Sequence, residues 1–141
     1  MEKIKGVKVK MSQIFKDEEV IPVSLIKVEN KENLDLLKEG DYVDVVGITK
    51  GHGFQGVVKR YSFGGGPKTH GQKNRLRAPG SIGSTAPQRV IPGKKMAGRM
   101  GGARKTIKNL KVVDINKENN LISLRGSTPG KNRSGIVIKK K

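Results

Sequence analysis

From Val45 to Val113 the chain runs for 69 residues without one Asp or Glu. The same stretch holds 15 of the 30 Lys and Arg residues, 14 of the 19 glycines and both histidines. An ordinary solvated surface mixes charges of both signs. A surface of one sign repels itself unless its surroundings are negative. Glycine and proline set a second limit. Between Ser62 and Arg104 stand ten glycines together with Pro67, Pro79, Pro87 and Pro92, a density that argues against any regular element. A structureless segment of this length inside a compact domain is expected to be either functional or disordered. Leu76, Ile82, Val90, Ile91, Met96 and Met100 are spaced through it, which is unlike a plain flexible linker. The expectation is an extended arm that becomes ordered on a polyanionic partner.

The flanks are patterned differently. Ile4 to Phe15 alternates, with Val7 and Val9 expected on one face and Lys8 and Lys10 on the other. Such a period of two marks a half-buried strand. Lys16-Asp-Glu-Glu19 is a charged turn, and Val20 to Val28 returns as an antiparallel partner, with Pro22 near its start. Glu29 to Gly40 allows one or two helical turns ended by Gly40. Asp41 to Thr49 reads as a strand, Gly51-His-Gly53 as a turn, and Phe54 to Tyr61 as a strand paired with the one before. Lys105 to Ile115 and Leu121 to Leu124 form a hairpin across Asn116–Asn120, and Ser134 to Ile138 is the last strand. The fold class is mainly β: a small closed or partly open β-barrel carrying a long irregular basic extension. The barrel is assigned to 1–61 and 105–141 and the arm to 62–104.

Composition excludes several function classes. The net charge is +18, with 33% hydrophobic residues, 4% aromatic and no Trp, so the core is small. With no cysteine there is neither a disulfide framework nor a thiolate metal site, which fits a reducing compartment. No apolar run approaches a membrane span, and Met1 to Lys10 lacks an apolar signal core. The expected location is the cytoplasm, without a membrane partner.

Gly51-His-Gly-Phe-Gln-Gly56 fits the GxGxxG pattern. A dinucleotide site needs a helix opening on those glycines and an acidic residue about 20 positions on. Val57-Val58 reads as strand, and no carboxylate occurs before Asp114. A tight β-turn is the better reading. Gly64-Gly-Gly-Pro-Lys68 lacks the spacing and the ending of a phosphate-binding loop. His52 and His70, without cysteine or a nearby carboxylate, make neither a metal site nor a catalytic triad. No enzyme, cofactor, metal or small-molecule substrate is expected.

What remains is nucleic acid. There is no recognition helix for a duplex groove, and aromatic residues are too few for a stacking platform. Glycine interleaved with cations lets backbone and charge approach the phosphates of folded RNA. The candidate RNA-binding residues are Lys50, Lys59, Arg60, Lys68, His70, Lys73, Arg75, Arg77, Arg89, Lys94, Lys95, Arg99, Arg104, Lys105 and Lys108. Arg77 and Arg99, flanked by Pro79-Gly80 and by Gly98 and Gly101, are expected to be buried against RNA. Lys139, Lys140 and Lys141 are expected to act as diffuse charge at a free end.

Several long motifs resemble the L-three family of large-subunit ribosomal proteins, bacterial type. They are Gly47-Ile-Thr-Lys-Gly-His-Gly-Phe-Gln-Gly-Val-Val-Lys-Arg60, Thr69-His-Gly71, Arg77-Ala-Pro-Gly-Ser-Ile-Gly83, Gly93-Lys-Lys-Met-Ala-Gly-Arg-Met-Gly-Gly102 and Asn119-Asn-Leu121. The opening, Met11-Ser-Gln-Ile-Phe15 with Val20-Ile-Pro-Val23, is similar to that family's too. The resemblance implies a translation-protein type barrel with an extension threaded into ribosomal RNA towards the peptidyl-transferase centre. It implies partners in large-subunit rRNA and neighbouring ribosomal proteins, and a part in early subunit assembly. Family members are longer, the difference falling between Val28 and Asp41. Lys10 stands where they usually have glycine and Leu76 where histidine is common. Ser84 stands where some carry a methylated glutamine, so that modification is not carried over. The alternative reading is a non-ribosomal binder of structured RNA or DNA on the same scaffold.

Overall fold

A computed structural model describes residues 3–16 and 18–140. The elements in chain order are β1 (Lys3–Lys16), β2 (Glu19–Val28), a 3-10 turn (Lys31–Leu34), β3 (Tyr42–Ile48), β4 (Gly53–Gln55), α1 (Val57–Tyr61), β5 (Gly98–Met100), β6 (Arg104–Asn116), β7 (Leu121–Arg125) and β8 (Gly135–Lys140). Asp17 in the first turn and Lys141 lie outside the described residues. Six strands form a closed ring in the order β1-β2-β7-β6-β3-β8, every neighbouring pair antiparallel. Ring closure leaves no free strand edge where the strands pair on both sides. Two compact units result, Met1–Lys50 with Gly102–Lys141, and Gly51–Gly101.

The barrel follows from alternation. Ile26 and Val28 on β2, Val43 and Val45 on β3, Ile122 and Leu124 on β7, and Ile136 and Ile138 on β8 are two apart and all buried. A period of two puts each pair on one face of its strand, and these four strands, with Ile4 of β1 and Val112 of β6, fill a narrow barrel with side chains. Leu34 and Leu37 join the same core from the 3-10 turn and the segment after it. The helical expectation for 29–40 thus reduces to four residues, and Gly40 enters β3 at φ +90° while its N–H donates to the Val112 carbonyl.

On β1 the face assignment is reversed. Ile4, Gly6 and Lys8 point inwards, and Val9 is 37% exposed. The register Lys8↔Ile26 then Lys10↔Leu25 contains a bulge at Val9; one extra residue there changes the parity of everything beyond it. Gly6 allows this strand to press against β2, since a Cβ there would stand 2.7 Å from the Lys27 carbonyl oxygen. Lys8, only 5% exposed, donates from Nζ to the carbonyls of Thr128 (2.8 Å) and Gly130 (3.4 Å). Its backbone accepts from Arg133 N–H and donates to Ser134 O. The ammonium therefore satisfies carbonyls of the 126–134 loop that would otherwise be left without donors. Burial, then the like charge of Lys50, pushes the Lys8 ammonium below its usual 10.5.

The last strand corrects another expectation. Lys139 and Lys140 belong to β8, and Lys140 Nζ lies 3.6 Å from Asp41 Oδ2 and donates to the Leu36 carbonyl. They are built into the barrel and are not a loose tail.

The exit from the barrel is a clasp. Beyond the Ile48↔Arg104 pair, Thr49 N–H donates to the Ala103 carbonyl and Gly102 N–H to the Thr49 carbonyl. Thr49 Oγ1 both donates to the Ala103 carbonyl (3.2 Å) and accepts from the Ala103 N–H (3.3 Å). Both ends of the arm-bearing segment are thus held at one point.

Lys8→Ala should lower stability by about 1–3 kcal/mol, because two carbonyls lose their donor. Exposed Lys10→Ala should stay within about 0.5 kcal/mol of the parent. Since the folded pKa of Lys8 is lowered, its charged form is penalised in the fold. That penalty is in force below the folded pKa and is released as pH climbs from there to 10.5. The parent gains stability in that window and Lys8→Ala does not, so their difference should widen with pH. Urea unfolding at neutral and alkaline pH measures both effects; equal stability of the two chains at neutral pH would remove the structural role given to Lys8.

Candidate nucleic-acid interface

Residues 51–101 form a unit with its own base. β4 pairs with β5 through Gly53↔Met100, Phe54↔Arg99 and Gln55↔Gly98, and His52 N–H donates to the Met100 carbonyl. The expected strand over 54–61 is therefore cut to three residues, and its partner is β5 and not β3. The sequence then turns into α1. Gly56 caps it in extended conformation, and Arg60 N–H donates to the Gly56 carbonyl at 2.9 Å. Val57 and Val58 favour strand by type, but Val57 is buried and tertiary packing overrides the preference. Ser62 ends the helix at φ 59°. A helix does open after the GxGxxG glycines, contrary to the first ground for setting that motif aside. It is five residues long, and the acidic residue a dinucleotide site requires is still missing.

Arg60 holds this base together. Its Nη1 donates to the Met96 carbonyl at 2.7 Å, and its guanidinium carbon lies 4.9 Å from the Tyr61 ring centre. Lys95 Nζ approaches the same ring at 5.6 Å. Two cations on one ring gain from its negative face. Gly98 makes room, since a Cβ there would sit 2.6 Å from Arg60 Nη1.

Further out the chain doubles back on itself. Gly66 N–H donates to the Leu76 carbonyl. At Gly65, φ is +75° and a Cβ would collide with that carbonyl oxygen at 2.1 Å, so only glycine fits. With its oxygen turned inwards, the Gln72 amide accepts from the N–H groups of Arg75 and Leu76. From Pro79 to Lys95 every residue is exposed, and its hydrogen bonds are short-range turns such as Ser81 Oγ to Gly83 O and Lys94 N to Ile91 O.

The cations sit as follows. Lys59, Lys68, His70, Lys73, Arg75, Arg77, Arg89, Lys94, Lys95 and Arg99 are exposed on this unit, and Arg60 is half-buried. Lys50, Arg104, Lys105 and Lys108 are exposed on the barrel unit. Among the described residues the ion pairs are Lys117–Asp35 and Lys140–Asp41, both in the barrel unit. None of the fifteen candidates has a carboxylate partner there. No group of three or more metal-ligating side chains occurs among the described residues, and no helix there is long and apolar enough to cross a membrane. The sequence reading missed the β4–β5 pairing, α1 and the Arg60–Tyr61–Lys95 cluster. Only the Lys-Arg-Tyr run at 59–61 hinted at the last.

Amide exchange should be slow through the β6–β7 hairpin and fast from Pro79 to Lys95. Arg60→Ala should speed exchange at Gly98 to Met100 by roughly tenfold, the scale of one bond from a charged donor. Unchanged rates at β5 in the variant would show that Arg60 is not what fixes this base.

The model of the family described as ribosomal protein L3 matches residues 3–128. Large ribosomal subunit protein uL3 of Chlorobaculum parvum is 55% identical over 106 residues, 74% of this chain and 51% of the relative. The uL3 protein of Chloroherpeton thalassium is 49% identical over 127 residues, 89% of this chain and 58% of its own length. That of Dehalococcoides mccartyi, strain CBDB1, is 44% identical over 129 residues, 91% and 63% respectively. The chain spans about half the length of the curated relatives it matches. With the match running through barrel and arm alike, the chain belongs to the ribosomal protein L3 family.

Proposed function

We propose that this chain is a structural component of the large ribosomal subunit that binds rRNA, working in the cytoplasm. The barrel is the anchor, and the arm at 62–104 is the part that enters RNA. The observation that carries this reading is the run of exposed cations from Lys50 to Lys108 with no carboxylate among them. Charges left uncompensated within the chain are compensated by phosphate. The names of the relatives support the large subunit as the site of assembly. Family membership supports a part in early assembly and in ordering the RNA of the peptidyl-transferase region. On this reading the chemistry there belongs to the RNA, and no catalytic residue, cofactor or small-molecule substrate is assigned to this chain. Neighbouring large-subunit proteins are the expected protein partners.

Fifteen candidates are unequal. Arg60 is already committed to the Met96 carbonyl and Tyr61. Arg77 and Arg99 are exposed, and their guanidinium groups have no hydrogen-bond or ion-pair partner among the described residues. Like Arg75, Arg89 and Arg104, they are free to be desolvated against phosphate or base, and their glycine and proline flanks favour close approach.

Arg77→Ala or Arg99→Ala should weaken binding to a large-subunit rRNA fragment by about tenfold or more, the scale of a charge-assisted bond. Lys27→Ala and Lys131→Ala, exposed on the barrel unit, should mainly reduce the salt slope. Filter binding at several salt concentrations separates the two. Equal damage from the lysine changes would mean that the arm is not the specific reader. In high-salt gradients the protein should travel with large subunits; recovery only with free RNA or DNA would favour a non-ribosomal binder.

A further inference from the structure

Within the arm-bearing unit, Val57, Arg77, Pro79, Ile82, Met96 and Ala97, together with Gly56, line one cleft. Five of the seven carry apolar side chains, gathered from a segment rich in glycine and cations. Ile82 remains 48% exposed and Met96 39%. Neither belongs to the barrel core, so these side chains are not spent on folding that core. Apolar area kept at a surface and gathered into a cleft marks a place where something apolar docks. Gly80, at φ +78°, turns the chain between Pro79 and Ile82 and lets both reach the same cleft. Arg77 is the one charged group in the lining, with no hydrogen-bond or ion-pair partner among the described residues.

We propose that this cleft takes one unstacked nucleobase of RNA, seated on the apolar lining with the Arg77 guanidinium against it. The proposal rests on the rRNA-binding reading above and gives that reading a specific contact. A nucleobase is flat and apolar on its faces and polar at its edge. The lining has the matching halves: a proline ring and a thioether for the face, and a planar cation for stacking or for an edge acceptor. Charge decides between a base and the side chain of a protein. The cleft lies in a stretch with no carboxylate, beside Lys94 and Lys95, so its occupant arrives attached to an anion. A second cleft, which shares Pro79, offers a path for that anion. It is lined by Phe63, Gly64, Gly65, Gly66 and Arg75 as well as by Pro79, so backbone and a second guanidinium flank the path of a sugar-phosphate chain.

The test uses the full chain and two synthetic probes of equal charge, a short uridine oligoribonucleotide and the same backbone with abasic sites. The unmodified chain should bind the base-bearing strand about tenfold more tightly, as one stacked base does elsewhere. Ala97→Trp fills the cleft and Ile82→Ser strips one wall; both positions are exposed, so folding, checked by circular dichroism, is expected to survive. Each should bring the ratio close to one while leaving the abasic strand's affinity and salt slope unchanged. Arg77→Lys, which keeps charge but loses the plane, should reduce the ratio as well. A ratio near one in the parent chain, as expected if the cleft takes a protein side chain, overturns the proposal. So does a ratio that neither Ala97→Trp nor Ile82→Ser lowers. If neither strand binds, the RNA-binding reading itself falls and takes the cleft with it.

Discussion

Everything outside the barrel hangs from the hydrogen bonds that join Thr49 to Gly102 and Ala103. The intervening segment has little core of its own. Bringing its ends together costs entropy that grows slowly with loop length, and the cost is met where β3 and β6 are already paired. Ile48↔Arg104 is the last rung of that ladder. Thr49 prolongs it with backbone and hydroxyl bonds to one place on the returning chain. A long excursion is tolerable here because it is, topologically, only the loop of a hairpin in a ring whose strands are fixed by other partners. The same loop at a free sheet edge would pull against a single ladder.

Alternation made the barrel legible. Val43 and Val45, Ile122 and Leu124, and Ile136 and Ile138 carry it openly, and the antiparallel pairing of β1 with β2 and of β6 with β7 matches their spacing. Where local pattern failed, a distant contact had intervened. Val57-Val58 has the composition of a strand, yet Gly56 and the packing of Val57 start a helix. Gly98 to Met100 is too short and too glycine-flanked to announce itself, and becomes a strand only because β4 is there to pair with it. The inward face of β1 was misread because Gly6 and Lys8, and not Val7 and Val9, turn inwards with Ile4, which residue type alone does not announce. Lys8 was read as a solvent lysine because its acceptors, the carbonyls of Thr128 and Gly130, lie more than a hundred positions away.

Of the candidate interface, the charge was legible and its sorting was not. A carboxylate-free run of 69 residues needs no coordinates to be noticed. Which cations are already engaged does need them. Arg60 differs from Arg77 in donating to the Met96 carbonyl and lying over the Tyr61 ring, and Lys140 from Lys131 in having Asp41 and the Leu36 carbonyl. Residue type gives the capacity for a contact, and geometry decides whether the chain itself uses it.

The electrostatics of the two units differ for a reason that bears on order. In the barrel unit, carboxylates remain to pair with lysines, and even there burial, then the like charge of Lys50, lowers the pKa of the Lys8 ammonium. In the unit at 51–101 there is no carboxylate at all, and glycine raises the entropy of every unbound conformation. Both terms act against a single compact state of the free segment. Both are offset by the same event, because a polyanion that neutralises the cations also supplies the surface on which an extended chain can rest. A segment built this way has its stability outside itself. The conformational cost of ordering it is then part of the binding free energy, and the clasp at Thr49 keeps that cost from reaching the barrel.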